Sequence, residues 1–264
     1  MSKIKIFQVD AFTKELFKGN PAAICPLETW LDDDVMQSIA AENNLAETAF
    51  IVKVRDQYEI RWFTPAVEVD LCGHATLAAG HVIFKYLGHS GNEVSFYSPR
   101  SGPLKVIKDG DLLTLDFPVD EFVKTETPEG IKQAFQMDIS ETYKGKTDYM
   151  VVLPSQQDLE ALKPDFRILG EVNGRGVIAT APGTEVDFVS RFFGPQSGID
   201  EDPVTGSAHT TLTPYWSAKL GKQTLFARQL SSRQGDLKCK LNEDRVEISG
   251  NAKTYLIGEI EIDL

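Results

Sequence analysis

Apolar and polar residues alternate in many short stretches of this chain, and a few longer stretches are apolar on nearly every side. Alternation is typical of strands with one buried face, and a long apolar run that ends at glycine is typical of a buried helix. The pattern predicts helices at residues 32–43, 74–87 and about 206–220, the last kinked or shortened at Pro214 because proline cannot donate a helical hydrogen bond. The predicted strands are residues 4–10, 48–54, 58–63, 94–98, 104–108, 112–117, 149–153, 176–180, 187–193, 223–230, 237–241, 245–248 and 254–262.

One combination of residues occurs twice. The sequence Arg-Trp-Phe-Thr-Pro at 61–65 is followed by Cys-Gly-His-Ala-Thr at 72–76, and Arg-Phe-Phe-Gly-Pro at 191–195 is followed by Thr-Gly-Ser-Ala-His at 205–209. Each copy predicts a strand, a loop and a glycine turn that opens an apolar helix. We therefore expect an α+β fold of two pseudo-symmetric lobes, each a curled, mostly antiparallel sheet or barrel around a central helix. Because helix N-termini attract anions, the two helix starts indicate a cleft between the lobes.

A charged segment without a periodic apolar run, residues 119–130, separates the two halves. It contains Pro128 and predicts a linker. The expected domains are an N-terminal lobe at residues 1–118 and a C-terminal lobe at residues 131–264, and a return of the final strand to the first lobe stays open.

The composition limits the kind of partner. The 264 residues carry a net charge of −12, which argues against nucleic acid or an anionic membrane surface as partner but not against a small anionic substrate. The 3 widely spaced cysteines predict neither a disulfide framework nor a C-x-x-C site. The sequence shows no apolar signal segment and no apolar run long enough to span a membrane, so we expect a cytoplasmic protein.

Two candidate groups lie in the first half. Glu47 precedes an apolar strand, where a carboxylate is either an exposed strand end or a paired or catalytic group. Cys72 and His74 flank the first repeated turn. Cys72 fits a small buried residue, and His74 either caps the helix or acts as an acid and base near neutral pH.

The densest polar cluster, residues 200–209, comes just before the third predicted helix. Its acids either only cap the helix or, through Asp202 with a hydroxyl and the free N–H groups of the turn, bind an anionic substrate and manage its protons. The residues considered as metal ligands are Cys72, His74, Asp202 and His209. They match no standard ligand spacing, so no metal site is predicted. The sequence also lacks the glycine-rich nucleotide-binding motifs.

Six motifs follow one another along the chain: Asp-Ala-Phe-Thr at 10–13, Gly-Asn-Pro-Ala-Ala at 19–23, Leu-Ala-Glu-Thr-Ala-Phe at 45–50, Arg-Trp-Phe-Thr-Pro at 61–65, Asp-Leu-Cys-Gly-His-Ala-Thr at 70–76, and Glu-Asp-Pro-Val-Thr-Gly-Ser-Ala at 201–208. Together they resemble the PhzF family (phenazine biosynthesis protein PhzF-like). The resemblance implies a diaminopimelate epimerase-like fold with the active site between the lobes. It also implies an isomerase without a cofactor and, commonly, a homodimer.

The resemblance implies roles for individual residues as well. In the phenazine enzyme a glutamate moves a proton between carbons of a cyclic dihydroxy-diene acid, and Glu47 matches that glutamate. His74, Asp202 and Ser207 match the other site residues, and Gly73 lies beside them.

The chain departs from diaminopimelate epimerase, which uses two thiols, one from each half. Here the first motif holds Cys72, but the second holds Asp202 and Thr205 and no thiol.

We therefore expect a cofactor-independent isomerase that moves a proton between carbons of a small carboxylic acid. The alternatives are an epimerase or racemase of an amino or hydroxy acid that uses Cys72, and a metabolite-binding protein without activity. The expected catalytic residues are Glu47, His74 and Asp202, the expected substrate-binding residues are Gly73, Gly206 and Ser207, and the additional candidates are Cys72 and Thr205.

Overall fold

A computed structural model describes residues 2–262 of the chain. The chain forms two compact units: unit 1 is Met1–Asp116 with Ser249–Leu264, and unit 2 is Phe117–Ile248. Residues 119–130 therefore belong to unit 2. No helix within residues 2–262 combines the length and the apolar character that a membrane crossing requires.

Unit 1 is a sheet with two helices. Its helices are α1 (Asp33–Asn43) and α2 (Gly73–Tyr86), and its strands are β1 (Ser2–Ala11), β2 (Asn20–Leu27), β3 (Glu47–Val54), β4 (Gln57–Phe63), β5 (Glu68–Val69), β6 (Glu93–Ser98), β7 (Gly102–Asp109), β8 (Leu112–Pro118) and β18 (Ala252–Ile262). β1 to β4 pair in order, with β2 and β3 parallel. β4 pairs with the short β5 and, in parallel, with β6, which continues to β7 and β8. β18 pairs antiparallel with β1.

Helix α2 is the central helix of unit 1. Leu77, Val82 and Ile83 have no exposed surface, and burial of such a side chain stabilises the fold by roughly 1.5–3 kcal/mol. The helix also runs close to β7, since a Cβ added at Gly80 would lie 2.8 Å from Cγ1 of Val106. The apolar run thus predicted both the helix and its burial correctly.

Unit 2 has more helices and a sheet of the same order. Its helices are α3 (Glu129–Phe135), α4 (Gln156–Ala161), α5 (Phe166–Leu169) and α6 (His209–Leu220), and its strands are β9 (Val123–Lys124), β10 (Glu141–Lys144), β11 (Tyr149–Val152), β12 (Val177–Pro182), β13 (Phe188–Gly194), β14 (Ile199–Asp202), β15 (Thr224–Gln229), β16 (Gly235–Asn242) and β17 (Arg245–Gly250).

The strands from β10 to β16 repeat the pairing of β1 to β7. β10 and β11 are antiparallel, β11 and β12 parallel, and β12 and β13 antiparallel. β13 pairs with the short β14 and, in parallel, with β15, which continues to β16. The mixed α+β class with related halves is therefore confirmed, although the sheet is not closed into a barrel.

Helix α6 passes through Pro214 without a break. Pro214 has no N–H for the carbonyl of Thr210, and that carbonyl accepts a hydrogen bond from the N–H of Asp120 at 3.3 Å instead. Asp120 also accepts from the hydroxyl of Thr211 at 2.8 Å. The helix is thus not shortened at Pro214, because a neighbouring segment satisfies the carbonyl that proline leaves free. The helix begins at His209, three residues after the predicted start, since residues 206–208 form turns.

Candidate active site

The predicted residues of unit 1 meet at the starts of β2, β3 and α2. β2 and β3 run parallel, so Asn20 and Glu47, their first residues, lie at the same end of the sheet. His74 is the second residue of α2 and contacts both of them. Cys72 occupies the N-cap position of the same helix.

His74 is the centre of this group. Its Nε2 lies 3.1 Å from Oε2 of Glu47, and its Nδ1 lies 3.2 Å from Nδ2 of Asn20 and 3.5 Å from Sγ of Cys72. The side chains of His74 and Glu47 are only 6% and 14% exposed. Nε2 and Oε2 approach as an ion pair, and neither atom has an aligned hydrogen bond within the described residues. Both atoms thus keep hydrogen-bonding capacity for a ligand.

The charges of this group are coupled. Burial alone would lower the pKa of His74, but Cys72 and Glu47 raise it, and the result lies well above the ordinary value. Burial, followed by the charge of Glu47, raises the pKa of the Cys72 thiol to about 11. Near neutral pH Cys72 is therefore a neutral thiol, and Glu47 is the neighbour whose negative charge favours the protonated form of His74 there.

The amide of Asn20 can form a hydrogen bond with the His74 ring in either its neutral or its protonated state. An amide can present its N–H₂ to a neutral Nδ1 or, after rotation by half a turn, its oxygen to a protonated Nδ1. Asn20 is fully buried, so the amide lies against the ring without competition from bulk water. His74 can therefore gain and lose a proton without losing its neighbour.

The same cluster offers donor atoms for a metal ion. One ligand atom each of Glu47, Cys72 and His74 lies within 4.8 Å of the others. Carboxylate, thiolate and imidazole are the donors that zinc uses, but His74 and Cys72 would both have to lose a proton first. The raised pKa values of both groups oppose that loss near neutral pH.

The predicted residues of unit 2 surround the turn before α6. The hydroxyl of Thr205 donates a short hydrogen bond to the carboxylate of Asp202. Gln229 fixes both residues, because its amide N–H₂ donates to the carbonyl of Asp202 at 2.8 Å and its oxygen accepts from the N–H of Thr205 at 2.8 Å. Gln229 is fully buried, which makes it a rigid support for the turn.

Ser207 of the same turn contacts a cation. Nη2 of Arg175 donates to the hydroxyl oxygen of Ser207 at 3.0 Å. Arg175 itself is held by Asp148 through two parallel hydrogen bonds, of which the one from Nε is 2.9 Å long. The side chain of Asp148 is only 5% exposed. A two-bond pair of this kind fixes the guanidinium in its plane.

His209 plays a different part from His74. Its Nδ1 lies 2.9 Å from the carbonyl oxygen of Thr205, which can only accept, so Nδ1 carries the hydrogen. Burial lowers the pKa of His209 to about 4. His209 is therefore neutral near pH 7 and does not supply protons there.

A forked ion pair precedes the turn in each unit. Nε and Nη2 of Arg61 donate to Glu68 at 2.7 and 2.9 Å. Nε and Nη2 of Arg191 donate to Glu201 at 2.7 and 2.8 Å. Glu68 and Glu201 each lie four residues before the turn residues Cys72 and Thr205. The repeat in the sequence is therefore also a repeat of contacts.

Within each unit, the structure groups the predicted residues at one place. They are Glu47, Cys72, Gly73 and His74 in unit 1, and Asp202, Thr205, Gly206 and Ser207 in unit 2. No pattern in the sequence predicted Asn20, Arg175 or Gln229 as site residues. Asn20 does lie in one of the six motifs, whereas Arg175 and Gln229 are 32 and 24 residues from the partners they hold and carry no motif.

The model of the family described as phenazine biosynthesis-like protein matches residues 9–258. The chain belongs to this family. An uncharacterized isomerase of Pseudomonas aeruginosa is 48% identical over 98% of this chain and 100% of its own length. An uncharacterized isomerase of Halalkalibacterium halodurans is 46% identical over 98% of this chain and 99% of its own length.

Solved structures agree with this assignment. A PhzF family protein of Enterococcus faecalis has a TM-score of 0.95 and 46% identity, and the match covers 99% of this chain and 100% of that protein. A probable proline racemase of Agrobacterium radiobacter has a TM-score of 0.64 at 10% identity, which shows a common fold only. The chain is an isomerase of the PhzF family.

Proposed function

We propose that this isomerase works without a cofactor and moves a proton between two carbons of a small carboxylic acid. The buried ion pair of Glu47 and His74 is the observation that supports the proposal. Two groups that can each bind a proton lie 3.1 Å apart, and both keep hydrogen-bonding capacity for a ligand. General acid–base catalysis needs groups of this kind within reach of the substrate.

In the proposed reaction Glu47 removes a proton from carbon. The C–H bond breaks, a carboxyl O–H bond forms, and the electron pair moves into the conjugated system next to the substrate's carboxylate. Glu47 then returns the proton to a second carbon, so the substrate is isomerised with no net gain or loss of atoms. His74, as an imidazolium, stabilises the developing negative charge or orients the substrate.

The remaining candidates, which are Gly73 of unit 1 and the turn residues of unit 2, take the binding role in this proposal. Asp202, together with His74, handles any further proton that the substrate gains or loses, or it orients the substrate. The carboxylate of Asp202 is held by the hydroxyl of Thr205. Ser207 and the N–H groups next to Gly73 and Gly206 bind the negative charge of the substrate. Removal of one such donor typically lowers the rate by about 10²–10³.

The test is the variant Glu47→Gln in the full chain. Gln keeps the size of the side chain but cannot take a proton, so turnover stops while the acid still binds. Mass spectrometry of metabolites retained by Glu47→Gln from a cell extract identifies that acid. The control is Glu93→Gln, which changes a half-exposed carboxylate of β6 in the same unit. Normal turnover of the identified acid by Glu47→Gln would refute the proposal.

A second candidate function uses Cys72. Its Sγ lies 3.5 Å from Nδ1 of His74, so a thiol stands next to a possible base, as an epimerase or racemase would require. In that reaction solvent deuterium enters the carbon that loses its proton, whereas in the proposed isomerisation the hydrogen is gained by another carbon. Cys72→Ala would abolish epimerisation and leave the proposed proton shift nearly unchanged.

The partners proposed for the enzyme are its small anionic substrate and a second copy of the chain. The resemblance to the PhzF family supports the homodimer, and the net charge of −12 argues against nucleic acid. Light scattering during size-exclusion chromatography measures the mass, which for a homodimer is twice the 29.3 kDa of one chain.

A further inference from the structure

The two halves of the repeat place opposite charges next to their glycine turns, Glu47 beside His74 and Arg175 beside Ser207, and an inference that rests on the proposed function follows from this. In unit 1 Thr48 pairs with Phe63, and in unit 2 Val177 pairs with Phe193. Phe63 and Phe193 are equivalent residues of the repeat, so Glu47 is equivalent to the residue before Val177, which is glycine. In the glycine turns of the repeat, Gly73 is equivalent to Gly206, so the residue equivalent to His74 is Ser207.

The glycine of unit 2 cannot be replaced by a residue like Glu47. A Cβ at Gly176 would lie 2.5 Å from Cζ of Phe192 and 2.7 Å from the carbonyl oxygen of Phe193. The contact with Ser207 comes instead from Arg175, the preceding residue. Where unit 1 places a carboxylate beside a histidine, unit 2 places a guanidinium beside a hydroxyl.

Arg175 is fixed along one edge only. Its Nε and Nη2 donate to the buried carboxylate of Asp148, and its guanidinium carbon lies 5.2 Å from the centre of the Phe192 ring. Nη1 makes no hydrogen bond within residues 2–262, and the side chain is 39% exposed. A donor edge that is already oriented and open to solvent costs little entropy when it binds a planar anion.

The same contact sets the direction of the Ser207 hydroxyl. Because Arg175 has no acceptor, the oxygen of Ser207 must accept from Nη2, which leaves its own hydrogen free to donate elsewhere. A neighbouring cation also strengthens the hydroxyl as a donor. Ser207 is therefore prepared to donate to a negatively charged oxygen.

We propose that Arg175 and Ser207 form the subsite for the carboxylate of the substrate, with Nη1 and the hydroxyl as its two donors. The carboxylate of Asp148 bonds directly to Arg175 and offsets its positive charge, and the negative charges of Asp202 and Asp120 attract the guanidinium from farther away. The subsite therefore recognises a carboxylate by the direction of its donors rather than by net charge. Lysine, a point charge without the fork, should not replace Arg175.

The experiment measures binding of benzoate, and of its uncharged analogue benzamide, to the full chain by ligand-detected NMR. We expect benzoate to bind the wild type and benzamide to bind at least tenfold more weakly. Arg175→Gln, Arg175→Lys and Ser207→Ala should each weaken benzoate binding by about tenfold or more. The control Arg228→Gln removes another paired arginine of unit 2, which contacts Asp236 and Glu185, and should bind benzoate like the wild type.

Arg175→Gln leaves the buried Asp148 without its partner and is at risk of misfolding. The double variant Arg175→Gln/Asp148→Asn removes that unpaired charge, and it should fold and still bind benzoate weakly. Unchanged benzoate affinity in the folded double variant, or no benzoate binding by the wild type, would overturn the subsite. Failure of the subsite appears as unchanged benzoate affinity in the Arg175 variants, whereas failure of the proton-transfer proposal appears as normal turnover by Glu47→Gln, so the two failures give different results.

Discussion

At the scale of the residue, the ion pair of Glu47 and His74 sets the protonation state of the site. Removing two charges from water is costly, and a buried pair often stabilises a fold no more than apolar residues would. Stability alone is therefore a weak reason for this pair to be buried. Its closeness to Cys72 and Asn20, each within hydrogen-bonding distance of the ring, fits a function in moving protons.

Replacement of Glu47 by glutamine should lower the pKa of His74. The wild-type imidazole should be protonated near neutral pH, and the variant should lose that proton at a lower pH because the neighbouring charge is gone. Nitrogen NMR of labelled histidine follows the titration, with Glu93→Gln as the control. An identical titration of His74 in wild type and Glu47→Gln would show that the carboxylate does not hold the proton.

The same pair makes stability depend on pH. The folded pKa of His74 lies above its unfolded value of about 6.5. The free energy by which the protonated His74 beside Glu47 stabilises the folded state is therefore complete below about pH 6.5 and is lost as the pH rises through the folded pKa. Urea unfolding should show that the stability difference between wild type and Glu47→Gln shrinks as the pH rises over this range. A difference that grows with pH would contradict the sign of the shift.

At the scale of the element, the two site helices begin in the same way with different residues. The hydroxyl of Thr76 donates to the carbonyl of Cys72 at 2.6 Å, and the ring of His209 donates to the carbonyl of Thr205 at 2.9 Å. Both bonds run from the helix back to the residue four positions earlier. This hydrogen bond to the carbonyl four residues earlier therefore does not require a histidine. His209 differs from Thr76 in that its side chain can gain a proton.

The variant His209→Thr should make unit 2 less sensitive to acid. The pKa of His209 is lowered to about 4, so its contribution to stability is complete above about pH 6.5 and declines as the pH falls towards 4. The smaller threonine leaves a cavity and costs roughly 1–3 kcal/mol near neutral pH. Urea unfolding at several pH values should show a smaller loss on acidification than in the wild type. An equal loss in both proteins would mean that other groups cause the acid sensitivity.

The pattern of the sequence predicted some elements well and others not at all. Helices α1 and α2 and strands β3 and β4 lie within one residue of the predicted bounds, because their apolar periodicity is strong. Strand β2 was missed, since it contains Pro21 and Pro26, which are unusual within a sheet. The short helices α3, α4 and α5 were missed as well, since four to seven residues give too little periodicity.

Across the whole molecule, the two halves share the order of their strands and the forked ion pair before each turn. The side chains around the two turns differ in chemistry. β1 to β7 and β10 to β16 share one order of parallel and antiparallel pairs. The sequence revealed this duplication because its turn motifs are short and contiguous. It did not reveal Arg175, because no local pattern connects that residue with Ser207.

The three cysteines should react slowly in the folded protein. Cys25 and Cys239 have no exposed surface and Cys72 is 6% exposed, and burial raises the pKa of the first two thiols to about 12. Thiolates are the reactive form, so little of each is available near neutral pH. Alkylation with iodoacetamide, counted by mass spectrometry, should be slow in buffer and reach three groups in denaturant. Rapid labelling of Cys72 in the folded enzyme would favour the thiol-dependent epimerase.

Turnover in deuterium oxide shows whether Glu47 moves a proton between two carbons. The acid retained by Glu47→Gln is incubated with the wild type, with Glu47→Gln and with Cys72→Ala, and NMR locates the label in substrate and product. We expect wild type and Cys72→Ala to release a proton from one carbon and to gain hydrogen at another, as the same proton or, where Glu47 exchanges it with solvent first, as deuterium. Glu47→Gln should bind the acid without either change. Deuterium that enters only the original carbon, or exchange at the normal rate in Glu47→Gln, would show that Glu47 does not move the proton between carbons.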